Sequence, residues 1–117
     1  MRALEYHFLF RSCREGVVVI PRHHVADIRQ AVDPTAAAVI VTVAHVSRAV
    51  NKVLPNDGLS VWHSTGEGTN QEVPHLHFHV HPRFTRDDLL RVYPRSPELP
   101  PREAFDRYTK ELRQALR

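Results

Sequence analysis

The sequence predicts one mixed domain of strands and helices, and three stretches of its 117 residues carry that prediction. Residues 17–20, Val-Val-Val-Ile, are β-branched throughout and stopped by Pro21, as a buried strand would be. Residues 34–54 are apolar at helical spacing, between Asp33-Pro34 and the turn signal Pro55-Asn56-Asp57-Gly58. Residues 75–81, His-Leu-His-Phe-His-Val-His, alternate with the period of two that belongs to a strand. A chain of this length is one domain by size and can bury a core without disulfides or a structural metal.

In chain order, residues 4–10 (LEYHFLF) read as a strand, followed by the strand 17–20. Residues 25–30 are expected to form a short helix. The long helix starts at Asp33, which can cap free amides, with Pro34 in the first helical position. Ala36, Val39, Ile40, Val43, Val46, Val50 and Val53 form its core stripe. Ala37, Ala38, Val41, Ala44, Ala49 and Leu54 add apolar surface on other sides, so a second subunit is expected to cover it, making a homodimer. Residues 59–62 (LSVW) are the next strand, and 64–72 (STGEGTNQE) a polar loop. The histidine strand 75–81 follows, then a Pro- and Arg-rich segment, 84–101, that wraps the surface. A terminal helix, 102–116, carries Phe105, Tyr108, Leu112 and Leu116 on one stripe.

Composition excludes several function classes. The one cysteine, Cys13, rules out an internal disulfide and a multi-cysteine zinc site. No apolar run of about 18 residues is present, so no membrane span is expected. The start Met1-Arg2-Ala3 does not read as a signal peptide, and the cytoplasm is the expected location. The net charge of +3 suits an anionic ligand, although many proteins without one share it. Arg86, Arg91 and Arg95 lack the interleaved aromatics that nucleic-acid binding wants, so no specific nucleic acid is expected.

The histidine strand admits three chemistries. His75, His77, His79 and His81 share one face, about 6.7 Å apart at the usual strand rise, while Leu76, Phe78 and Val80 face the core. Two such imidazoles, His75 and His77, could chelate one zinc, but no acidic residue lies within the strand to complete a mixed set. Alternatively a neutral imidazole attacks phosphorus while its neighbours orient it or carry protons, with the Gly-rich loop as phosphate cradle. The third reading is a plain exposed polar face.

HLHFHVHPR resembles the histidine triad signature, His-Φ-His-Φ-His-Φ-Φ with Φ apolar, of the HIT nucleotide hydrolases and transferases. Gln71, four residues before His75, falls where that family often has Gly-Gln, and VVVIPRHHV is similar to its strand ending in Ile-Pro-Lys-x-His, which puts His24 on a further common histidine. The likeness covers residues 16–83. It implies an α+β, HIT-like fold: an antiparallel sheet of about five strands with one long and one C-terminal helix, paired into a homodimer. By the same resemblance His77 attacks the α-phosphate of a nucleotide and forms a nucleotidyl-histidine, which water releases. His79 contacts phosphate and leaving-group oxygens. His75 orients the His77 ring, partly through its carbonyl. Gln71 and Ser64 border the phosphate, His24 stands behind the triad, and no cofactor or metal is required. Ser64 replaces the family's usual Asn or Gln, Glu72 its Ser or Thr, and His81 an apolar residue. The N-terminal part looks short, with no Asp to meet ribose hydroxyls. Two alternatives stay open: a nucleotide-binding regulatory module with lost turnover, and a metal-dependent hydrolase. Trp62 is expected in the core or as a wall, His45 in solvent, and His63 facing opposite to Trp62, with a place beside the site as the lesser reading.

Overall fold

The computed structural model describes residues 4–11, 14–69, 71, 73–87, 95 and 97–117, with side chains described from Gly16 onward. Cys13, Glu72, Arg91 and the side chain of Glu5 lie outside the described residues. The chain divides into two compact units, Met1–Asp87 and Asp88–Arg117.

In the first unit the β-branched run forms the C-terminal part of a longer strand than expected. Four strands, β1 (Leu4–Arg11), β2 (Arg14–Pro21), β3 (Gly58–Trp62) and β4 (Phe78–Arg83), are present among the described residues, where about five were expected. They make one antiparallel sheet in the order β1-β2-β4-β3, so α1 (Asp33–Val53) carries the chain from β2 across to the far side of β4. Register places Val17 opposite Val80 and Val18 opposite His79 on one side of β4, and Trp62 opposite His79 on the other. Pro82 fits inside this central strand. Arg83 accepts the Asp57 N–H on the β3 side, so by alternation Pro82 faces β2, where pairing with β4 ends at Val17–Val80.

Alternation then sorts the side chains. Val17, Val19 and Val80 enter a core with Val25, Leu76 and the α1 residues Val39, Val43 and Val50. Leu76 is fully buried, and truncating a leucine in such a place costs about 2–5 kcal/mol. Thr42, unanticipated, is buried beside them. Ala36 and Val46 of the expected stripe are half-buried, and two members are exposed: Ile40 at 51% and Val53 at 74%. Ile40 sits about 100° round the helix from Val39, past the edge of the contact, and Val53 is the last helical residue. Helix α1 is also long and apolar enough, by length and composition, to cross a bilayer, a test that core helices also pass.

Three local expectations are corrected. Residues 25–30 make only a 3-10 turn, Ile28–Gln30. The Val25 carbonyl takes the Leu76 N–H at 2.6 Å, and Asp27, with extended backbone, caps the turn through Arg29 N–H, so helix cannot begin earlier. Asp33 is not the cap of α1. Val32 holds that position without a side-chain bond, and Asp33 is the first helical residue, where its charge complements the helix dipole. The histidine strand begins at Phe78 and not at His75. Before it, the backbone bonds to loops and rings instead of to a ladder: Leu76 N–H to Val25, and the His77 carbonyl to the His63 ring.

The second unit is built on α2 (Arg102–Ala115), with Glu103 in its first turn and Arg113 in its last, both on the favourable end of the dipole. An Arg102–Asp106 pair one turn apart, at 3.3 Å, and the Arg107 guanidinium over the Tyr108 ring brace it. Phe105, Tyr108 and Leu112 recur along it at helical spacing.

Candidate active site

The bend before β4 lies among five imidazoles, and bonds to main-chain carbonyls fix which nitrogen carries a proton in His63, His75 and His77. His77 Nδ1 lies 2.6 Å from the His75 carbonyl. A carbonyl only accepts, so Nδ1 carries the proton, and Nε2 of the neutral ring is left with an in-plane lone pair. His75 is itself turned away from His77. Its Nε2 donates to the Pro21 carbonyl at 2.9 Å, and its Nδ1 meets His24 Nδ1 at 3.2 Å. With His75 neutral, His24 is the donor in that pair. The terminus of β2 thus orients the first triad residue, and that residue's carbonyl orients the second.

His79 projects from β4 proper. It lies flat on Trp62, 4.6 Å between centroids at 13°, and edge-on to His77 at 5.1 Å. His81, two residues further along β4, passes over Gly16 and stacks more loosely on Trp62 at 6.1 Å. Of the four histidines expected on one strand face, His79 and His81 lie within β4, and His75 and His77 precede it.

His63 is the residue the sequence left least defined. It follows β3 directly, and its Nδ1 is 3.0 Å from the His77 carbonyl. Burial pushes its pKa down; the bond to the His77 carbonyl and the charge of Asp27 push up, and His77 itself adds to the lowering. Its position just past Trp62 was the one available signal. Asp27 gave none, although it is buried and holds Arg29 at 2.9 Å. That guanidinium keeps the Asp27 carboxyl below its ordinary range despite burial.

The Gly-rich loop stands beside this cluster. Gly66 has φ of +88°, a left-handed conformation suited to glycine. Its N–H donates to Gln71 Oε1 at 2.8 Å. Gln71 Nε2 in turn donates to the Ala26 and Val73 carbonyls. The Gln71 amide is thus bound to main chain, bracing the loop against the segment before Asp27. Ser64, half-buried, follows His63 into the same loop. The structure brings together His24, His75, His77, His79 and His63, and puts Gln71 on the loop's inner side.

For metal, the converging nitrogens are those of His24 and His75, not of His75 and His77. No group of three or more His, Cys, Asp or Glu that could hold an ion exists among the described residues. What the cluster offers is an imidazole whose Nδ1–H is held by the His75 carbonyl, flanked by a second imidazole that is stacked on Trp62.

The family model described as HIT domain matches residues 14–86. An uncharacterized HIT-like protein of Saccharolobus solfataricus is 28% identical over 100 residues, covering 85% of this chain and 68% of that protein. The adenosine 5′-monophosphoramidase of Schizosaccharomyces pombe is 31% identical over 85 residues, covering 69% of this chain and 61% of the enzyme. Among solved structures, a HIT-like protein of Bartonella henselae superposes with a TM-score of 0.58 at 29% identity, over 86% of this chain and 70% of the other.

Proposed function

The chain belongs to the HIT family, and from that premise we propose that it is a nucleotide hydrolase or nucleotidyl transferase cleaving a phosphoramidate or phosphoanhydride bond at the α-phosphate. The observation that carries this reading is the 2.6 Å bond from His77 Nδ1–H to the His75 carbonyl, which directs the Nε2 lone pair outward. Nε2 attacks the α-phosphorus, the bond from phosphorus to the leaving nitrogen or oxygen breaks, and a nucleotidyl-histidine forms. The positive charge that develops on the His77 ring is eased by its short bond to the carbonyl. In this reading His79 hydrogen-bonds phosphate and leaving-group oxygens. Ser64 and the amides of the loop that Gln71 braces line the phosphate. His24 holds His75. Water then attacks phosphorus, the electron pair returns to Nε2, and the nucleoside monophosphate leaves.

The reading needs no cofactor. It places the protein in the cytoplasm as a homodimer, for which the outward Ile40 and Val41 of α1, 51% and 55% exposed, supply apolar surface. The name of the yeast relative, at 31% identity, supports a phosphoramidate as first substrate. The test is turnover of a panel of adenosine and guanosine phosphoramidates and dinucleoside polyphosphates. Release of the nucleoside monophosphate is the expected result. Nucleotide affinity without any turnover would show a binding module instead, and activity lost on chelation and restored by zinc would show a metal hydrolase.

A further inference from the structure

His63 takes no part in the chemistry above, yet the His77 main chain hangs on it. Its Nδ1, 3.0 Å from the His77 carbonyl, must carry a proton, because a carbonyl only accepts. Its Nε2 is 3.4 Å from the Ile28 amide and 2.9 Å from Thr65 Oγ1. A main-chain N–H only donates, so Nε2 must hold a lone pair. The three contacts are compatible with one form of the ring alone, neutral with its proton on Nδ1. The ring also stands edge-on to His77, 6.0 Å between centroids at 75°, and packs on Phe78 at 5.3 Å.

The consequence is geometric. His77 is clamped at two points: its ring by the His75 carbonyl and its own carbonyl by His63. The next residue, Phe78, is the first of β4. Turning the 77–78 peptide would swing the Cα–Cβ bond of His77 and carry Nε2 off its line. Through Ile28 and Thr65 the same ring ties this peptide to the turn behind Asp27 and to the Gly66 loop.

We propose that His63 is a positioning residue for His77, holding it in line for attack only while the His63 ring is neutral. A proton on His63 replaces the Nε2 lone pair by a second N–H, which opposes the Ile28 amide and ends acceptance from Thr65. The Nδ1–H bond to the His77 carbonyl survives, but the ring loses its anchorage to Ile28 and Thr65 and can carry the 77–78 peptide with it, so turnover falls without a matching loss of nucleotide binding. The inference rests on the reading of His77 as nucleophile. The titratable groups facing the ring are Asp27, whose carboxylate draws a proton toward it, and His77, which opposes one; burial opposes it most. His63 therefore charges below the usual imidazole range, and the acid limb of turnover should follow it.

The test uses the full chain with His63→Phe, His63→Asn and, as a control on an exposed position of α1, His45→Ala. Phenylalanine keeps the ring and loses all three hydrogen bonds. Asparagine returns an N–H near the Nδ1 position. Turnover of a nucleoside phosphoramidate is followed over about pH 5 to 8, and AMP affinity is measured by calorimetry. The expected result is a kcat for His63→Phe lower by about ten- to hundredfold with KM and AMP affinity little changed. His63→Asn should recover most of that loss, both His63 variants should lose the wild-type acid limb, and His45→Ala should behave as wild type. Wild-type kcat and acid limb in His63→Phe would overturn the proposal, as would a parallel loss of AMP affinity or an asparagine variant no better than phenylalanine.

If His63→Phe does not fold, nitrogen-15 spectra of the histidine rings in wild type and His63→Asn decide. Wild-type His63 should be the neutral Nδ1–H form, and its titration should move the His77 ring signals. A proton on Nε2, or His77 signals indifferent to that titration, overturns the proposal. These spectra need no substrate. A wild-type protein inert toward every nucleotide would therefore overturn the nucleotidyl-transfer reading while the spectra still judge the clamp.

Discussion

Trp62 and His79 face each other across the β3–β4 pairing, and their rings lie 4.6 Å apart and 13° from parallel. Backbone register brings the two residues opposite each other. A flat aromatic pair of this kind contributes about 0.5–1.5 kcal/mol beyond the area it buries, which is enough to hold one imidazole rotamer. Trp62 is the chain's one tryptophan, so its emission reports on His79 directly. Saturating AMP should change that emission in wild type and should change it less in His79→Ala. A flat titration, with binding shown by calorimetry, would separate the phosphate from His79.

The order of the triad makes His77 and His79 unequal. His77→Ala removes the covalent route and should abolish turnover while sparing AMP binding, because the imidazole acts chiefly in the transition state. His79→Ala removes one stabilising donor and should leave activity lowered by about 100- to 1000-fold. Rapid quenching of wild type with labelled substrate should trap an acid-labile, base-stable phosphoramidate on His77. Label on another histidine moves the nucleophile.

Gly16 is required by His81. A Cβ at residue 16 would come within 2.9 Å of His81 Cδ2, and that ring is tied to the Pro82 carbonyl through Nδ1. Gly16→Ala should lower stability by about 1–3 kcal/mol, the range for overpacking. His81→Ala opens the space, so the double variant should be less destabilised than the sum of the two singles. Additive losses in a double-mutant cycle of urea midpoints would mean that the contact is not what makes residue 16 a glycine.

Acid should act on Asp27. Its folded pKa lies below the ordinary value, mainly through the hydrogen bonds to Arg29, with burial working against them. A depressed carboxylate stabilises the fold above its unfolded pKa of about 3.9, and that contribution disappears as pH falls through the lower folded value. The stability difference between wild type and Asp27→Asn should be full near neutrality and shrink in that acid window. A difference constant down to the lowest pH measured would show that charge is not its source.

Local pattern made the second half of the first unit legible. Alternation over 75–81 correctly assigned Leu76 and Val80 to the core, and the Pro34 and Pro55 signals bounded α1 to within a residue. Pattern also carried the family, since the triad and the Ile-Pro-x-x-His stretch are contiguous in sequence. It could not show what lies between distant segments. The direction of the His75 ring depends on Pro21 and His24, 54 and 51 residues away. Gln71 was read as bordering phosphate, and its amide is bound to Ala26, which no local spacing reveals. Thr42 is buried because of where the sheet runs under α1, not because of its own polarity. His63 reads in sequence as the residue opposite Trp62 with no partner assigned, and its three partners come from three separate segments.

The position of β4 between β2 and β3 bears on how the chain is made. A ribosome delivers β4 last of the four strands, after α1 and β3, so the gap it fills stands open while everything around it has already emerged. Long-range closures of this sort are slow, because chain entropy is lost before the contacts repay it. Until then Pro21 has no His75 ring to receive and His63 no His77 carbonyl to hold. A nascent chain stalled before Phe78 would expose two unpaired strand edges, a surface for chaperones or for a neighbouring nascent chain. It would carry no partial activity, because the closing of the sheet and the assembly of the histidine cluster are one event.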